Sequence, residues 1–223
     1  MRVRGFTQDD AHIFCLPDQV ESEVGDVLGL TFELLEAFGF KEYSISLSTR
    51  PVKYVGDLDM WDHATESLRN ALVARGLEYD IDDGGGAFYG PKIDIKITDA
   101  LGRAWQCTTV QFDFNLPERF DLTFQNAEGG RSRPYMVHRA ILGSIERFIG
   151  VLIEHYAGAF PLWLSPVQAV IIPIADRHIE YAEQIQNRLV NQGYRVEVDS
   201  RSERRSEERR VGNECRSRWS PYH

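Results

Sequence analysis

The sequence has few of the features that mark secreted or membrane proteins. It contains only three cysteines, Cys15, Cys107 and Cys215, and their spacing is not that of a disulfide framework, so a reducing, cytoplasmic location is expected. No apolar run reaches the roughly 20 residues that a transmembrane helix needs. The N-terminal residues show no signal-peptide pattern and lead directly into a patterned strand. We therefore expect no membrane association.

Positive charge is also scarce. The 223 residues include 25 lysines and arginines against 34 acidic residues, a formal net charge of −9. This balance argues against a protein that holds nucleic acid on a broadly basic surface. A local ATP or tRNA site built from a few arginines remains compatible with it. The length allows one full core and part of a second domain.

Hydrophobic periodicity predicts an α+β fold for the first 160 residues. Helices are expected over 17–38 and 60–75, ended by Gly39 and Gly76, and strands over 43–48, 92–98 and 103–114. The buried stripe of the first helix is expected to consist of Val20, Val24, Val27, Leu28, Thr31 and Leu35. Residues 81–86 are expected to form a turn and 125–133 a polar loop. Consecutive strands joined by a hairpin at 99–102 indicate a mainly antiparallel sheet with helices packed on it.

Residues 134–148, PYMVHRAILGSIERF, are predicted to form a helix that continues to about 155. The apolar stripe would contain His138, Ile141, Leu142, Ile145 and Ile149, and a neighbouring stripe Arg139, Gly143, Glu146, Arg147 and Gly150. Gly143 costs about 1 kcal/mol relative to alanine inside a helix. A glycine one turn before Arg147 suggests a bulky ligand, and an arginine suits a phosphate. The alternative is a buried helix with a packing glycine and a surface arginine.

Residues 6–14, FTQDDAHIF, are predicted to form a strand. Its period of two places five residues on one face, namely Phe6, Gln8, Asp10, His12 and Phe14. An amide, a carboxylate and an imidazole in line between phenylalanines indicate the wall of a polar cleft. The alternative is a solvated edge strand.

The pattern changes beyond a predicted boundary at 157–166. A strand over 167–174, a helix over 176–192 and a strand over 194–198 predict the first βαβ unit of an α/β domain. From 205 onward no periodicity remains, and we interpret 205–223 as the translation of a synthetic adapter sequence; a basic tail is the alternative. The expected organisation is thus 1–160, 166–203 and a tail at 205–223.

Five long segments resemble the threonyl-tRNA synthetases, a family of class II aminoacyl-tRNA synthetases. They are RVRGFTQDDAHIF, AFYGPKIDIKI, AWQCTTVQFDF, PYMVHRAILGSIERF and FPLWLSPVQAVIIPI, in the family's order over residues 1 to about 202. The resemblance implies an antiparallel catalytic domain followed by an α/β anticodon-binding domain. It also implies ATP-dependent activation of threonine, transfer to tRNA(Thr), and a homodimer.

The same resemblance implies roles for individual residues. The ATP site would contain Phe6, Gln106, Thr109, Gln111, Gly143 and Arg147, with Arg2 and Arg147 acting on the phosphates and Mg²⁺ accompanying ATP. Gln8, Asp10, Tyr89 and Lys92 would bind threonine. His12 and His138 would be zinc ligands. Zinc that binds threonine's amino and hydroxyl groups would reject valine, which a hydrophobic pocket discriminates poorly.

The chain also departs from the family pattern. It starts within the second class II motif, so we expect it to lack an upstream arginine, the first motif that builds the dimer interface, and the cysteine zinc ligand; Cys15 is a poor substitute. The isolated chain is therefore expected to be inactive. A non-catalytic synthetase-like protein that binds tRNA or a partner is the alternative. A zinc hydrolase using the two histidines lacks an HExxH-type spacing, and a prolyl- or seryl-type enzyme would share the fold.

Overall fold

The described part of the molecule, residues 3–201 of a computed structural model, consists of alternating helices and strands. Arg2 and the predicted tail at 205–223 lie outside these residues. The elements in chain order are β1 (Ala11–Cys15), α1 (Val20–Ala37), β2 (Tyr43–Ser48), α2 (Leu58–Ala74), β3 (Asp80–Asp82), β4 (Lys92–Thr98), β5 (Ala104–Asp113), α3 (Asn115–Arg119), β6 (Phe124–Gln125), β7 (Arg131–Ser132), β8 (Tyr135–Ala140), α4 (Ile145–His155), β9 (Ala169–Ile171), α5 (Ile179–Val190) and β10 (Val196–Val198).

A six-stranded sheet organises the first unit, in the order β1-β8-β5-β4-β2-β3. Every pairing is antiparallel except that of β3 with β2. The predicted α+β class is therefore confirmed. The turn expected over 81–86 is shorter than predicted, because Asp80–Asp82 pairs with β2 at the sheet edge and the turn follows at 83–84. A strand of three residues, two of them aspartates, is too short to appear in a hydrophobic pattern.

Helices α1 and α2 supply most of the core with the sheet. The stripe expected on the first helix is confirmed, since the buried residues of α1 are Val20, Val24, Val27, Leu28, Thr31 and Leu35. Helix α2 begins at an N-cap, where the Asp57 carboxylate accepts a hydrogen bond from the Met60 amide at 2.8 Å. Gly39 and Gly76, with φ of 82° and 64°, follow the helix ends as expected.

The predicted helix over 134–148 was wrong. Tyr135–Ala140 forms strand β8 between β1 and β5, and the helix begins only at Ile145. Gly143 has a φ of 70°, which a right-handed helix cannot contain. Ser144 then precedes the first helical residue, and its hydroxyl accepts from the Arg147 amide at 3.4 Å. The segment is thus a strand, a glycine turn and a capped helix.

Two other boundaries differ from expectation. Regular pairing of β1 starts at Ala11, not at residue 6, and Gln8 forms a single bridge with Ser144. The expected polar loop at 125–133 contains a small hairpin, in which Phe124 pairs with Ser132 and Gln125 with Arg131. Both differences arise because the bounds of a short strand depend on the strand that it pairs with. A local hydrophobic pattern does not reveal that partner.

The chain divides into two compact units at Leu152/Ile153, within α4. In the second unit β9 and β10 pair in parallel with α5 between them, as the βαβ pattern predicted. A short 3₁₀ turn at Asp176–His178 precedes α5, and both strands are shorter than expected. None of the helices within residues 3–201 is both long and apolar enough to cross a membrane.

Candidate functional site

Polar residues on neighbouring strands form a row across one face of the large sheet. The strand register pairs His12 with His138, His138 with Gln111, and Gln111 with Lys92. On β4, Lys92 and Asp94 share this face, while Ile93 and Ile95 point to the other and are fully buried. The apolar face is therefore the core side, and the polar face is free to build a site.

A bulge in β5 brings Gln106 onto the same face as Thr109. Residues three apart in a regular strand point to opposite faces. In β5, however, Ile95 of β4 pairs with Thr108 and Lys96 with Gln106, so Cys107 is an extra residue in the ladder. The side chains of Gln106 and Thr109 consequently meet, with Gln106 Nε2 donating to Thr109 Oγ1 at 3.0 Å.

This polar face opens into a cleft of about 460 Å³, a volume in the range of small-molecule sites. Its lining residues are Phe6, Gln8, Asp10, Gln106, Cys107, Thr109, Gln111, His138, Arg139, Ala140, Gly143, Ser144 and Arg147. The structure thus gathers nine of the residues expected at the ATP, threonine and zinc sites. Phe6 is 56% exposed beside the cleft. Tyr89, Lys92 and His12 are not lining residues but contact residues that are.

Arg147 reaches the cleft from the first turn of α4. Its Nη2 donates to the Gln106 carbonyl oxygen, and its guanidinium lies 5.9 Å from the centre of the Trp105 ring. Its Nε is buried without a hydrogen-bond partner in the described structure. A buried unpaired donor on a cationic side chain is costly. An anionic ligand in the cleft would remove that cost.

The turn at Gly143 allows Arg147 and the β5 bulge to approach each other. A Cβ at this glycine would lie 2.9 Å from Arg147 Nη2 and 3.1 Å from the Cys107 carbonyl oxygen. The Cys107 thiol is buried there, and burial raises its pKa to about 11 although the nearby Arg147 opposes the shift. At neutral pH a neutral thiol therefore packs beside Gly143 and Arg147.

Two acidic residues that the sequence did not indicate anchor the segment before β1. The Asp9 carboxylate accepts from the amides of Ile141 and Leu142 at 2.8 and 3.1 Å. Glu146 accepts from the Thr7 amide at 2.9 Å and the Ser144 hydroxyl at 2.9 Å. Hydrogen bonds from its own amide, Thr7 and Ser144 lower the pKa of Glu146. Phe6, Gln8 and Asp10 are held at the cleft by these contacts.

The loop before β4 closes the other end of the row. Tyr89 donates its hydroxyl to Gln111 Oε1 at 2.5 Å, and its ring lies 5.7 Å from that of His138. Burial, together with the charges of Asp113 and Asp10, raises the pKa of Tyr89. The backbone of Gly90 lies so close to β5 that a Cβ would be 1.8 Å from the Phe112 carbonyl oxygen. Only glycine fits there, and it places Tyr89 over the sheet.

The two candidate zinc ligands meet as cross-strand neighbours. The ring centres of His12 and His138 are 4.5 Å apart. His138 Nε2 pairs with the buried Asp113 carboxylate at 2.8 Å, which leaves Nδ1 for another ligand. Within residues 3–201, however, no group of three or more His, Cys, Asp or Glu side chains could hold a metal ion. The residues present therefore fit part of a zinc site but do not complete one.

Cys15 does not complete the metal site. It is 5% exposed and lies three residues after His12 in β1, so its side chain points to the opposite face. Burial, with the charges of Glu23 and Asp18, raises the pKa of its thiol to about 11.

The family comparison covers both parts of the chain. A family model described as "tRNA synthetase class II core domain (G, H, P, S and T)" matches residues 1–156. A second, described as "Anticodon binding domain", matches residues 168–211. The two matches leave residues 157–167 between them.

Comparison with individual proteins gives high identity. The threonine–tRNA ligases of Sulfurihydrogenibium sp. and Acidithiobacillus ferrooxidans are 63% and 62% identical over 204 residues, covering 92% of this chain and 32% of each relative. The chain therefore spans about a third of the length of the curated relatives it matches. A solved RNA binding domain of threonyl-tRNA synthetase from Cryptosporidium parvum has a TM-score of 0.88 at 42% identity, covering 95% of this chain and 53% of that chain.

Proposed function

The chain belongs to the threonine–tRNA ligases, a family of class II aminoacyl-tRNA synthetases, and we propose that its cleft binds ATP and threonine for threonyl-adenylate formation. In the whole enzyme, the threonyl group then passes to tRNA(Thr). The observation that carries the proposal is the position of Arg147, whose guanidinium lies beside Gln106 in the cleft and whose buried Nε has no hydrogen-bond partner among residues 3–201. Such a donor is suited to an anionic ligand.

ATP is assigned to the part of the cleft between the β5 bulge and the start of α4. Phe6 would stack on adenine, and Arg147 would contact the phosphates across Gly143. Gln106, Thr109 and Gln111 form the polar wall. Magnesium would accompany the triphosphate, as in phosphoryl and nucleotidyl transfer generally. The role expected for Arg2 stays a sequence-based prediction.

Threonine is assigned to the row that runs from β1 to Tyr89. Asp10 and Gln8 lie at one side of the cleft, and Tyr89 reaches it through its hydrogen bond to Gln111. Lys92 is the next residue along the same register. A carboxylate suits the ammonium group of the amino acid, and the amide and phenol suit its polar groups.

We also propose that His12 and His138 are two of the ligands of a zinc ion at this end of the cleft. The paired rings and the contact of His138 with Asp113 support this assignment. The third protein ligand is not among the described residues.

The proposed chemistry needs orientation and charge stabilisation rather than a general base. A threonine carboxylate oxygen forms a bond to the α-phosphorus of ATP, and the bond to the leaving pyrophosphate oxygen breaks. Negative charge develops on the phosphate oxygens, and the Arg147 guanidinium would stabilise it. The carboxylate is already ionised at neutral pH, so no proton has to be removed.

The remaining assignments concern the whole enzyme. We place the catalytic domain at 1–160 and the start of the anticodon-binding domain at 166–203, supported by family matches that leave 157–167 between them. The adapter interpretation of 205–223 stays a sequence-based hypothesis, since the second match extends to residue 211. Binding of tRNA(Thr), a homodimer and a reducing, cytoplasmic location are likewise proposed.

A chimeric enzyme tests this function. Residues 3–201 of this chain would replace the matching segment of the Sulfurihydrogenibium ligase, and amino-acid-dependent exchange of pyrophosphate into ATP would be measured. We expect the chimera to catalyse threonine-dependent pyrophosphate exchange, and we expect the Arg147→Ala substitution in the chimera to abolish it. Arg133→Ala is the matched control, because Arg133 pairs with Asp121 at 3.0 Å, away from the cleft. A folded chimera without threonine-dependent exchange would contradict the proposal.

A further inference from the structure

Asp94 is a buried carboxylate on the polar face of the large sheet. Neither the sequence pattern nor the proposed reaction assigns it a role. It lies in β4 opposite Thr109 and is 3% exposed. Burying a carboxylate is expensive unless donors surround it. The groups that donate hydrogen bonds to Asp94 therefore indicate its role.

Three donors hold the two oxygens of Asp94. Oδ1 accepts from Gln106 Nε2 at 2.6 Å and Thr109 Oγ1 at 3.0 Å. Oδ2 accepts from Lys92 Nζ at 2.5 Å. The Ser48 hydroxyl lies 3.5 Å from Oδ2 but donates its hydrogen to Asp82 at 3.0 Å. All three donors, Gln106, Thr109 and Lys92, are residues of the proposed ATP and threonine sites. One carboxylate thus connects both ends of the proposed site.

The carboxylate also fixes the direction of the Gln106 amide. An ionised carboxylate only accepts hydrogen bonds, so the amide nitrogen and not the oxygen must face it. The same Nε2 donates to Thr109 at 3.0 Å, which uses its second hydrogen. The remaining hydrogen-bonding atom of Gln106 is Oε1. Gln106 on β5 can therefore accept a hydrogen bond from a ligand through Oε1.

We propose that Asp94 is a positioning residue for the nucleotide: it holds the Gln106 amide so that Oε1 accepts a donor group of ATP, and it tethers Lys92 beside the threonine site. The inference rests on the proposed ATP site. Asp94 does not itself touch the ligand. Its effect passes through Gln106, which lines the cleft.

The direct test is Asp94→Asn, which preserves shape and removes one acceptor oxygen. Lys92, as a cation, competes best for the remaining amide oxygen. The new amide nitrogen of residue 94 then faces Gln106. The Gln106 side-chain amide must rotate so that its oxygen faces residue 94 and its N–H groups face the cleft. We expect MgATP affinity of the full chain, measured by titration calorimetry, to fall about 10-fold, corresponding to about 1.4 kcal/mol.

The second variant combines Asp94→Asn with Gln106→Glu. This exchange keeps the net charge, returns a carboxylate to the pair and restores an acceptor oxygen toward the cleft. We expect affinity to recover to within about 3-fold of the unsubstituted chain, a difference of about 0.6 kcal/mol. Recovery separates positioning from a structural role, since a merely destabilised wall would not bind better after a second substitution.

Two further measurements decide between the remaining outcomes. Asp57→Ala, which removes the α2 cap at a residue that does not line the cleft, should lower the urea midpoint without changing MgATP affinity. If Asp94→Asn does not fold, hydrogen exchange of the Gln106 side-chain amide in the unsubstituted chain still applies: we expect protection, and exchange as fast as at a surface glutamine would overturn the inference.

The possible failures are distinguishable. Unchanged MgATP affinity in Asp94→Asn, or no recovery in the double variant, overturns the role of Asp94 and leaves the ATP site standing. Absence of MgATP binding in the unsubstituted, folded chain overturns the proposed ATP site and this inference with it.

Discussion

Replacing Gly143 with alanine tests the strand-turn-helix geometry that places Arg147. The backbone φ of 70° costs a non-glycine residue about 1–2 kcal/mol. The added methyl would also lie 2.9 Å from Arg147 Nη2 and 3.1 Å from the Cys107 carbonyl oxygen. Arginine can yield, whereas the strand backbone cannot. We therefore expect the free energy of unfolding to fall by about 1–2 kcal/mol and Arg147 to move from its position.

The movement of Arg147 should appear in nucleotide binding. A hydrogen bond to a charged group contributes about 1.5–3 kcal/mol, so loss of the phosphate contact would weaken MgATP affinity about 10- to 100-fold. Urea titration followed by tryptophan fluorescence gives the stability, because Trp61 is 1% exposed in the first unit. Titration calorimetry gives the affinity.

Gly150→Ala is the matched control for Gly143→Ala. Gly150 lies in α4, and a Cβ there would meet no atom within 4 Å. Alanine should stabilise this helix by about 0.5–1 kcal/mol and leave MgATP affinity unchanged. A Gly143→Ala variant that is as stable as the unsubstituted chain and binds MgATP equally well would contradict the proposed role of Gly143.

Three further predictions concern the histidines, the thiols and the α2 cap. Zinc titration should detect weak binding that His138→Ala abolishes and that Asp113→Asn weakens about 10-fold; equal binding in all three proteins would count against the histidine pair. Burial raises the pKa values of Cys15 and Cys107 to about 11. Because these thiols stay neutral in the folded state and ionise on unfolding, the free energy of unfolding should fall as the pH rises from about 9 to 11. The Cys15→Ala, Cys107→Ala double variant should show a shallower fall, and an identical slope would refute the assignment. Asp57→Ala should cost about 1 kcal/mol of unfolding free energy, and no change in the urea midpoint would contradict its role as a cap.

The regular elements could be predicted because their burial follows a local period. Tyr43–Ser48 and Lys92–Thr98 have the expected bounds, and the α1 stripe matches residue by residue. By contrast, 134–148 contains apolar residues at both helical and strand spacings. The outcome there depended on the sheet, where Tyr135–Ala140 fills the gap between β1 and β5. The Gly-Ser pair at 143–144 was the local signal for the correct break.

Several residues that line the cleft could be expected from the sequence, but their geometry could not. The wall of β5 depends on the bulge at Cys107, and a bulge leaves no mark in a single sequence when the residue is neither Gly nor Pro. The meeting of His12 and His138 follows from strand register between segments far apart in the chain. Asp94 was accessible to sequence reasoning, because the period of two in Lys92–Thr98 places it on the face of Lys92.

A crystal structure of the chain with MgATP would show whether the nucleotide occupies the cleft. We expect the triphosphate between β5 and the start of α4, with a phosphate oxygen about 2.7–2.9 Å from the Arg147 guanidinium and the Gln106 Oε1 facing the nucleotide. Nucleotide bound elsewhere on the ordered chain, with Arg147 contacting only the Gln106 carbonyl, would contradict the proposed ATP site.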